Sequence, residues 1–230
     1  MMTMMRDMTK ETVTWIKEFL EVVKNCFGER LLCAGLQGSR ARGEEKADSD
    51  IDVVVILDKL EFADLKAYDD AVSALPEREK LCGFLSGYAE LAAWEKSELF
   101  QFVFDTKVLY GSLDFVQLGT DEDLRRAVHS GACGLYHACV HNILHEKSPE
   151  ILRELYKSAF FTLQMKYFAE TGEYISGKET MRRKTADTDR IIAAGAILVR
   201  TEPEVFTAEF ERLARRLMEW SGALITAYQQ

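Results

Sequence analysis

Two aspartates one residue apart, Asp50 and Asp52, stand at the head of an unbroken aliphatic run, Val53-Val54-Val55-Ile56-Leu57. Such a run reads as a strand buried on both faces. Side chains at i and i+2 of a strand share a face, so Asp50 and Asp52 are expected side by side at the mouth of a sheet. Carboxylates are disfavoured in strands, and a pair on one face calls for a reason. Upstream lies Gly38-Ser39-Arg40-Ala41-Arg42-Gly43, which reads as a tight turn. Successive backbone N–H groups in such a turn form an anion-binding nest. Paired hard carboxylates suit Mg²⁺, which is held by one or two protein carboxylates together with substrate phosphates. A phosphate cradle beside a metal site points to nucleotidyl transfer.

Gly38-Ser39, a spacer ending in Asp48-Ser49, then Asp50-Ile51-Asp52 with aliphatic residues behind it resemble the signature of the polymerase-beta-type nucleotidyltransferase superfamily. Gly-Ser-x-Ala-Arg-Gly followed by Asp-Ser-Asp-Ile-Asp is most similar to the small bacterial members, the minimal nucleotidyltransferases and the aminoglycoside adenylyltransferases with a helical C-terminal domain. The strict core of the likeness spans residues 33–57. It implies transfer of a nucleoside monophosphate, most simply AMP from ATP but equally from another NTP, to a hydroxyl, with Mg²⁺ or Mn²⁺ as cofactor. Asp50 and Asp52 are the implied metal ligands and catalytic residues. Gly38 and Ser39 would cradle phosphate, and Arg42, which matches the Ala-Arg-Gly of the family, would steady the leaving pyrophosphate. Arg40 reads better as a solvent-facing side chain. Asp48 and Ser49 read as residues that shape the loop.

One part of the pattern is missing. Many active members carry a third carboxylate on a later neighbouring strand, as general base on the attacking hydroxyl. Here that strand is Lys80-Leu81-Cys82-Gly83-Phe84-Leu85, without an acid. Glu90 and Asp105 are the nearest substitutes, and both read better as surface or helix-start carboxylates. Three readings follow: two carboxylates suffice, an acid arrives from elsewhere, or the chain is a nucleotide-binding or antitoxin-like partner module without catalysis.

The formal charge of −9 speaks against nucleic acid as a partner, because a polyphosphate backbone attracts basic surfaces. It suits a cationic small-molecule acceptor, while a protein hydroxyl is equally compatible with the motif. No segment has the apolar length of a membrane span, and Met1 to Lys10 lacks the apolar core of a signal peptide. Five cysteines (Cys26, Cys33, Cys82, Cys133, Cys139) without CxxC spacing read as reduced, packed thiols of a cytoplasmic protein.

The expected fold class is α+β: an N-terminal mixed sheet with helices over residues 1–115, then an all-helical bundle over 116–230. Glu11 to Phe27 has apolar residues at helical spacing, with Thr9 as cap and Gly28 as stop. Strands are expected at Leu31–Leu36, Asp50–Leu57 and Lys80–Ser86, helices at Glu61–Leu75 and Glu90–Lys96, and an extended segment at Phe100–Leu109. Beyond Thr120, helices are expected at Asp121–His145, Glu150–Glu170, Asp187–Val199 and Pro203–Tyr228. In the last of these Phe206, Phe210, Leu213, Leu217, Trp220 and Leu224 form a seam, either internal or the face of a homodimer. His137, His141 and His145 share a helix face and read as a polar stripe, since a metal site needs further ligands held by the fold. Arg125 and Arg126 lack the spacing to a histidine found in the helical ribonucleases that accompany minimal nucleotidyltransferases. The cluster Lys178, Arg182, Arg183 and Lys184 reads as a solvated helix face.

Overall fold

The computed structural model describes residues 8–229; most of the stretch read for a leader, and Gln230, lie outside that range. The described chain divides into two compact units. One comprises the residues up to Glu95 together with Phe102–Leu118; the other comprises Lys96–Gln101 and everything from Gly119 onward.

In the first unit, α1 (Lys10–Phe27) is capped by the Thr9 hydroxyl, which accepts from the Thr12 backbone N–H at 3.2 Å. It ends at Gly28, whose φ of +56° suits glycine. The unit holds a mixed sheet of four strands in the order β3-β2-β1-β4. β1 (Leu31–Leu36) pairs antiparallel with both β2 (Ile51–Leu57) and β4 (Lys107–Gly111), and β2 pairs parallel with β3 (Leu81–Gly87). Ile16, Phe19 and Val23 of α1 share an apolar cluster with Ile51, Val53, Val55 and Leu57. These are the odd positions of β2. The period of two therefore turns Asp52 and Val54 to the opposite face, and this alternation puts a carboxylate on the side of the sheet away from α1.

An ion pair braces the far end of the sheet. Arg30 grips both oxygens of Asp64 at 2.8 and 2.9 Å and also reaches Asp58 at 3.2 Å. Asp64 in turn accepts from the Glu61 backbone and closes the capping box of α3 (Phe62–Val72). The Arg30 guanidinium holds the Asp64 carboxyl down at about 2, against an ordinary 3.8. A carboxyl with a depressed folded-state pKa adds stability that is complete above its unfolded value and is lost as pH falls through the folded one. Unfolding measured against pH should therefore show a loss of stability between about pH 4 and pH 2 that Asp64→Asn flattens. An identical acid limb in the variant would contradict this.

The sheet strands fall close to their expected bounds, but Phe100–Leu109 is not one extended segment. Lys96–Asp105 is a helix (α5), following the short α4 (Tyr88–Ala92), and only Lys107–Gly111 is strand. A short apolar run such as Leu99 to Phe104 has no periodicity that separates a strand from a buried helix. Packing decides. Phe100 enters the core of the helical unit, while Phe102 meets Phe84 edge-on at 4.9 Å.

The second unit is helical: α6 (Asp121–His141), α7 (Pro149–Thr171), α8 (Lys178–Lys184), α9 (Asp187–Thr201), α10 (Val205–Ala208) and α11 (Phe210–Ala227). Its ends follow local chemistry. Thr120 and Asp123 form a capping box, Ser148 caps α7 with Pro149 in the first turn, and Gly172 closes α7 at φ +71°. The expected helix from Asp121 to His145 stops at His141, and a wider π-type turn, Asn142–Glu146, follows. Asn142, 1% exposed, holds that turn by bonding the Ser148 backbone at 3.0 and 2.9 Å. The C-terminal helix is interrupted at Glu209, yet its seam survives. Phe206, Leu213, Leu217, Trp220 and Leu224 are all buried in one core with Tyr156, Leu163 and Ile192, so this seam is used within the unit.

Candidate functional site

The ends of β1 and β2 meet at one edge of the sheet unit, and there the motif residues gather. Gly38–Arg42 is one short helical turn, α2, rather than an open loop. Gln37 enters it with its backbone N–H on the Asp52 carbonyl at 2.7 Å. Gly43 ends it in the left-handed region at φ +67°. Asp50 stands one residue ahead of β2 and is exposed; Asp52 is half-buried within it.

Gly38 is where backbone and carboxylate come closest. Its φ is +68°, and a Cβ there would lie 2.0 Å from Asp52 Oδ2. Only a residue without a side chain lets the Asp52 carboxylate lie against the entry to α2. Beside it Ser39 is 5% exposed, yet its hydroxyl makes no hydrogen bond among the described residues. That leaves the hydroxyl able to donate to a phosphate oxygen at this place.

Arg40 takes a different place from that expected of it. It is 6% exposed, and its guanidinium donates to the Ser49 and Asp50 carbonyls at 3.1 and 3.3 Å. It also pairs with Glu77 at 3.4 Å. A buried cation needs such partners, and here they tie the loop leading into Asp50 to the body of the unit. Arg42 remains partly open and pairs with Glu44 at 3.1 Å. Ser49 closes a local turn by accepting from the Lys46 N–H at 2.9 Å.

Two supports carried no sequence signal. Glu45 Oε1 accepts from the Thr9 and Thr12 hydroxyls at 2.8 and 2.9 Å, which latches the loop to the start of α1. Burial acts to raise the Glu45 carboxyl, but bonds from its own backbone N–H and both threonines, with the Arg40 charge, leave it below the usual range. The Gln37 side chain donates to Thr106 Oγ1 at 2.7 Å and to the Phe102 carbonyl at 3.2 Å, joining β1 to the entry of β4.

The register settles which residue neighbours Asp52 on β3. It is Cys82, an exposed thiol. Glu90 lies beyond the other end of that strand, where a Cβ on Gly87 would sit 2.4 Å from its Oε2; Gly87 pairs with Leu57, roughly 16 Å along the strand from Asp52. Asp105 precedes Thr106 at the same sheet edge as Asp52, but on the other side of β1. Cys33 and Cys139 are buried free thiols, pushed up by burial to about 12 and about 11. Cys82 departs from the expectation of packed cysteines.

The remaining candidates are dispersed. His137, His141 and His145 are exposed, with successive ring centroids 6.5 and 4.8 Å apart. Among the described residues no group of three or more His, Cys, Asp or Glu is placed to hold a metal ion. Arg182, Arg183 and Lys184 are occupied by Glu179, Thr180 and Glu173. Among the described residues no helix is long and apolar enough to cross a membrane.

Residues 16–103, less than half of the chain, match the family model described as nucleotidyltransferase domain. The fold of the chain is similar to that of spectinomycin adenyltransferase AAD(9) from Enterococcus faecialis, a structure containing ATP and spectinomycin. That likeness has a TM-score of 0.53 at 12% identity and covers 89% of this chain and 98% of the other. No curated protein matches the chain by sequence.

Proposed function

We propose that the chain transfers a nucleoside monophosphate, most simply AMP from ATP, to a hydroxyl of a small-molecule or protein acceptor in a Mg²⁺- or Mn²⁺-dependent reaction. The observation that carries this reading is the contact of the Asp52 carboxylate with Gly38, next to Ser39, whose hydroxyl bonds nothing among the described residues. Two hard carboxylates with phosphate oxygens are a sufficient donor set for Mg²⁺. Asp50, exposed and with its carboxylate in no hydrogen bond or ion pair among the described residues, fits that use. Asp50 and Asp52 would hold the metal, which offsets charge on the triphosphate when bound. Gly38 and Ser39 would bind phosphate oxygens. Arg42 would exchange Glu44 for the pyrophosphate, whose charge grows as it leaves. Arg40, tied to the Ser49 and Asp50 carbonyls, positions Asp50 rather than touching nucleotide.

The ATP and spectinomycin held by the fold neighbour support ATP as donor and a small molecule as acceptor, and the charge of −9 suits a cationic one. In this reading residues 1–115 handle the nucleotide and residues 116–230 form the helical bundle domain of a cytoplasmic enzyme. A second reading, a nucleotide-binding or antitoxin-like module without turnover, draws on Cys82, which faces Asp52 in the register where the resemblance implies an acid.

Calorimetric titration of MgATP into the chain and into the Asp50→Asn/Asp52→Asn variant tests the site without knowledge of the acceptor. Binding that needs Mg²⁺ and disappears in the double variant supports it. Absence of binding by ATP and by the other nucleoside triphosphates removes the transferase reading. Slow hydrolysis of bound ATP to AMP by the wild-type chain would separate the enzyme from the inactive module.

A further inference from the structure

Within the helical unit, α6, α7 and the first turns of α5 enclose an open cleft of 610 Å³. None of its lining residues is basic, and the one acid, Glu98, is exposed at its edge and engaged in another interaction. What the cleft presents is hydroxyl and amide: Ser130, Ser158, Thr162 and Gln101.

These groups are unusual within this chain. Serine and threonine inside helices commonly bond to a carbonyl of the preceding turn. Thr14, Thr171, Thr201 and Ser221 do so, with distances of 3.0, 2.7, 3.4 and 2.8 Å. The side chains of Ser130 and Ser158, both exposed, and of Thr162 and Gln101 make no hydrogen bond among the described residues. Thr162 is the telling one, because it is 6% exposed. Its Oγ1 sits above Gly131 on the facing helix, 2.6 Å from where a Cβ would be. Its hydroxyl faces the cleft, and a ligand that covered it without bonding to it would be disfavoured.

The glycines of α6 point the same way. Glycine in a helix interior is unfavourable relative to alanine. Gly131 is explained by Thr162, but a Cβ on Gly134 would meet nothing within 4 Å. Packing does not require glycine there, and its effect is to leave the cleft wide. On α7, beside Ser158 and Thr162, Phe161 is 41% exposed and adds an aromatic ring to the lining.

We infer that this cleft is a binding site for an uncharged, polyhydroxylated small molecule of the sugar or cyclitol type. A phosphorylated ligand would find no cation in the lining, and a purely apolar one would strand the hydroxyls. Alternating hydroxyl and C–H faces, by contrast, match the hydroxyl and amide groups of the lining together with the Phe161 ring beside them on α7. The assignment concerns the helical unit alone and holds whatever the sheet unit catalyses.

The test is saturation-transfer NMR on the full chain with methyl α-D-glucopyranoside and myo-inositol, and with glucosamine as the cationic counterpart. Transfer to a neutral polyol is expected, with at least a tenfold loss of affinity in Thr162→Val and in Ser158→Ala. Thr162→Val replaces a hydroxyl that bonds nothing in the protein by a methyl of similar size, so its melting temperature should hold or rise as binding falls. Gly134→Ala should also raise the melting temperature while weakening binding, and it covers the case in which Thr162→Val fails to fold. No transfer to either neutral polyol overturns the inference. So does transfer that survives Ser158→Ala and Gly134→Ala, or binding confined to glucosamine and abolished by Glu98→Gln.

Discussion

Gly38→Ala is expected to leave a folded protein that has lost MgATP binding by about two orders of magnitude. The new Cβ would lie 2.0 Å from Asp52 Oδ2, a distance no pair of unbonded atoms tolerates. Two adjustments are open. The backbone at φ +68° can stay, at a cost of about 1–2 kcal/mol for a non-glycine residue in the left-handed region. The Asp52 carboxylate, at the end of a rotatable side chain, then swings away. That relieves the clash cheaply for the fold and ruinously for the site, because the displaced group is the proposed metal ligand. Calorimetry with MgATP and thermal unfolding on the same sample separate the two effects. A variant that keeps wild-type affinity would show that the closeness of Gly38 and Asp52 is incidental.

The second large effect concerns Gly195 of α9. Helix propensity alone says that Gly195→Ala should stabilise by roughly 1 kcal/mol. Packing says the opposite, since the Cβ would fall 2.2 Å from Tyr156 Cε1 and 2.4 Å from Cδ1. Tyr156 has no room to yield. It is fully buried, its hydroxyl donates to the Leu213 carbonyl at 3.1 Å, and its ring meets Phe206 edge-on at 5.4 Å. Overpacking of a tight core costs about 1–3 kcal/mol, and a clash with an aromatic ring tethered at both ends lies at the top of that range. The net expectation is a loss of about 2 kcal/mol, or roughly 4–8 °C in melting temperature. The same substitution in a Tyr156→Leu background should cost less, because the two residues couple directly. A melting temperature unchanged or raised by Gly195→Ala alone would mean that the helices α7 and α9 do not approach this closely.

The proximity of the candidate site residues was legible in the sequence. The turn at Gly38-Ser39 and the carboxylates of Asp50 and Asp52 are separated by few residues, and local backbone geometry brings them near one sheet edge. Arg40 is the counter-example. Its type and position suggested an exposed cation, but its burial and its bonds to the Ser49 and Asp50 carbonyls depend on how the loop folds over it. The latch from Thr9 and Thr12 to Glu45 was equally hidden, since the partners are far apart in sequence and each is ordinary on its own.

Elements with a strong local rule could be read in advance. α1 carries a cap, an apolar stripe of helical period and a terminating glycine, and α7 likewise has Ser148 as cap and Gly172 as stop. Those features depend on interactions between residues a turn apart, so sequence alone determines them. What only the tertiary structure decided is set by contacts across the chain: that Leu99 to Phe104 is helix rather than strand, that Cys82 rather than an acid faces Asp52, and that Ser130, Ser158 and Thr162 surround one cleft with their hydroxyls unspent. An apolar run has no period to distinguish its two possible homes, a parallel register is chosen between strands joined by a helix, and a hydroxyl's partner is known only once every competing donor and acceptor has been placed.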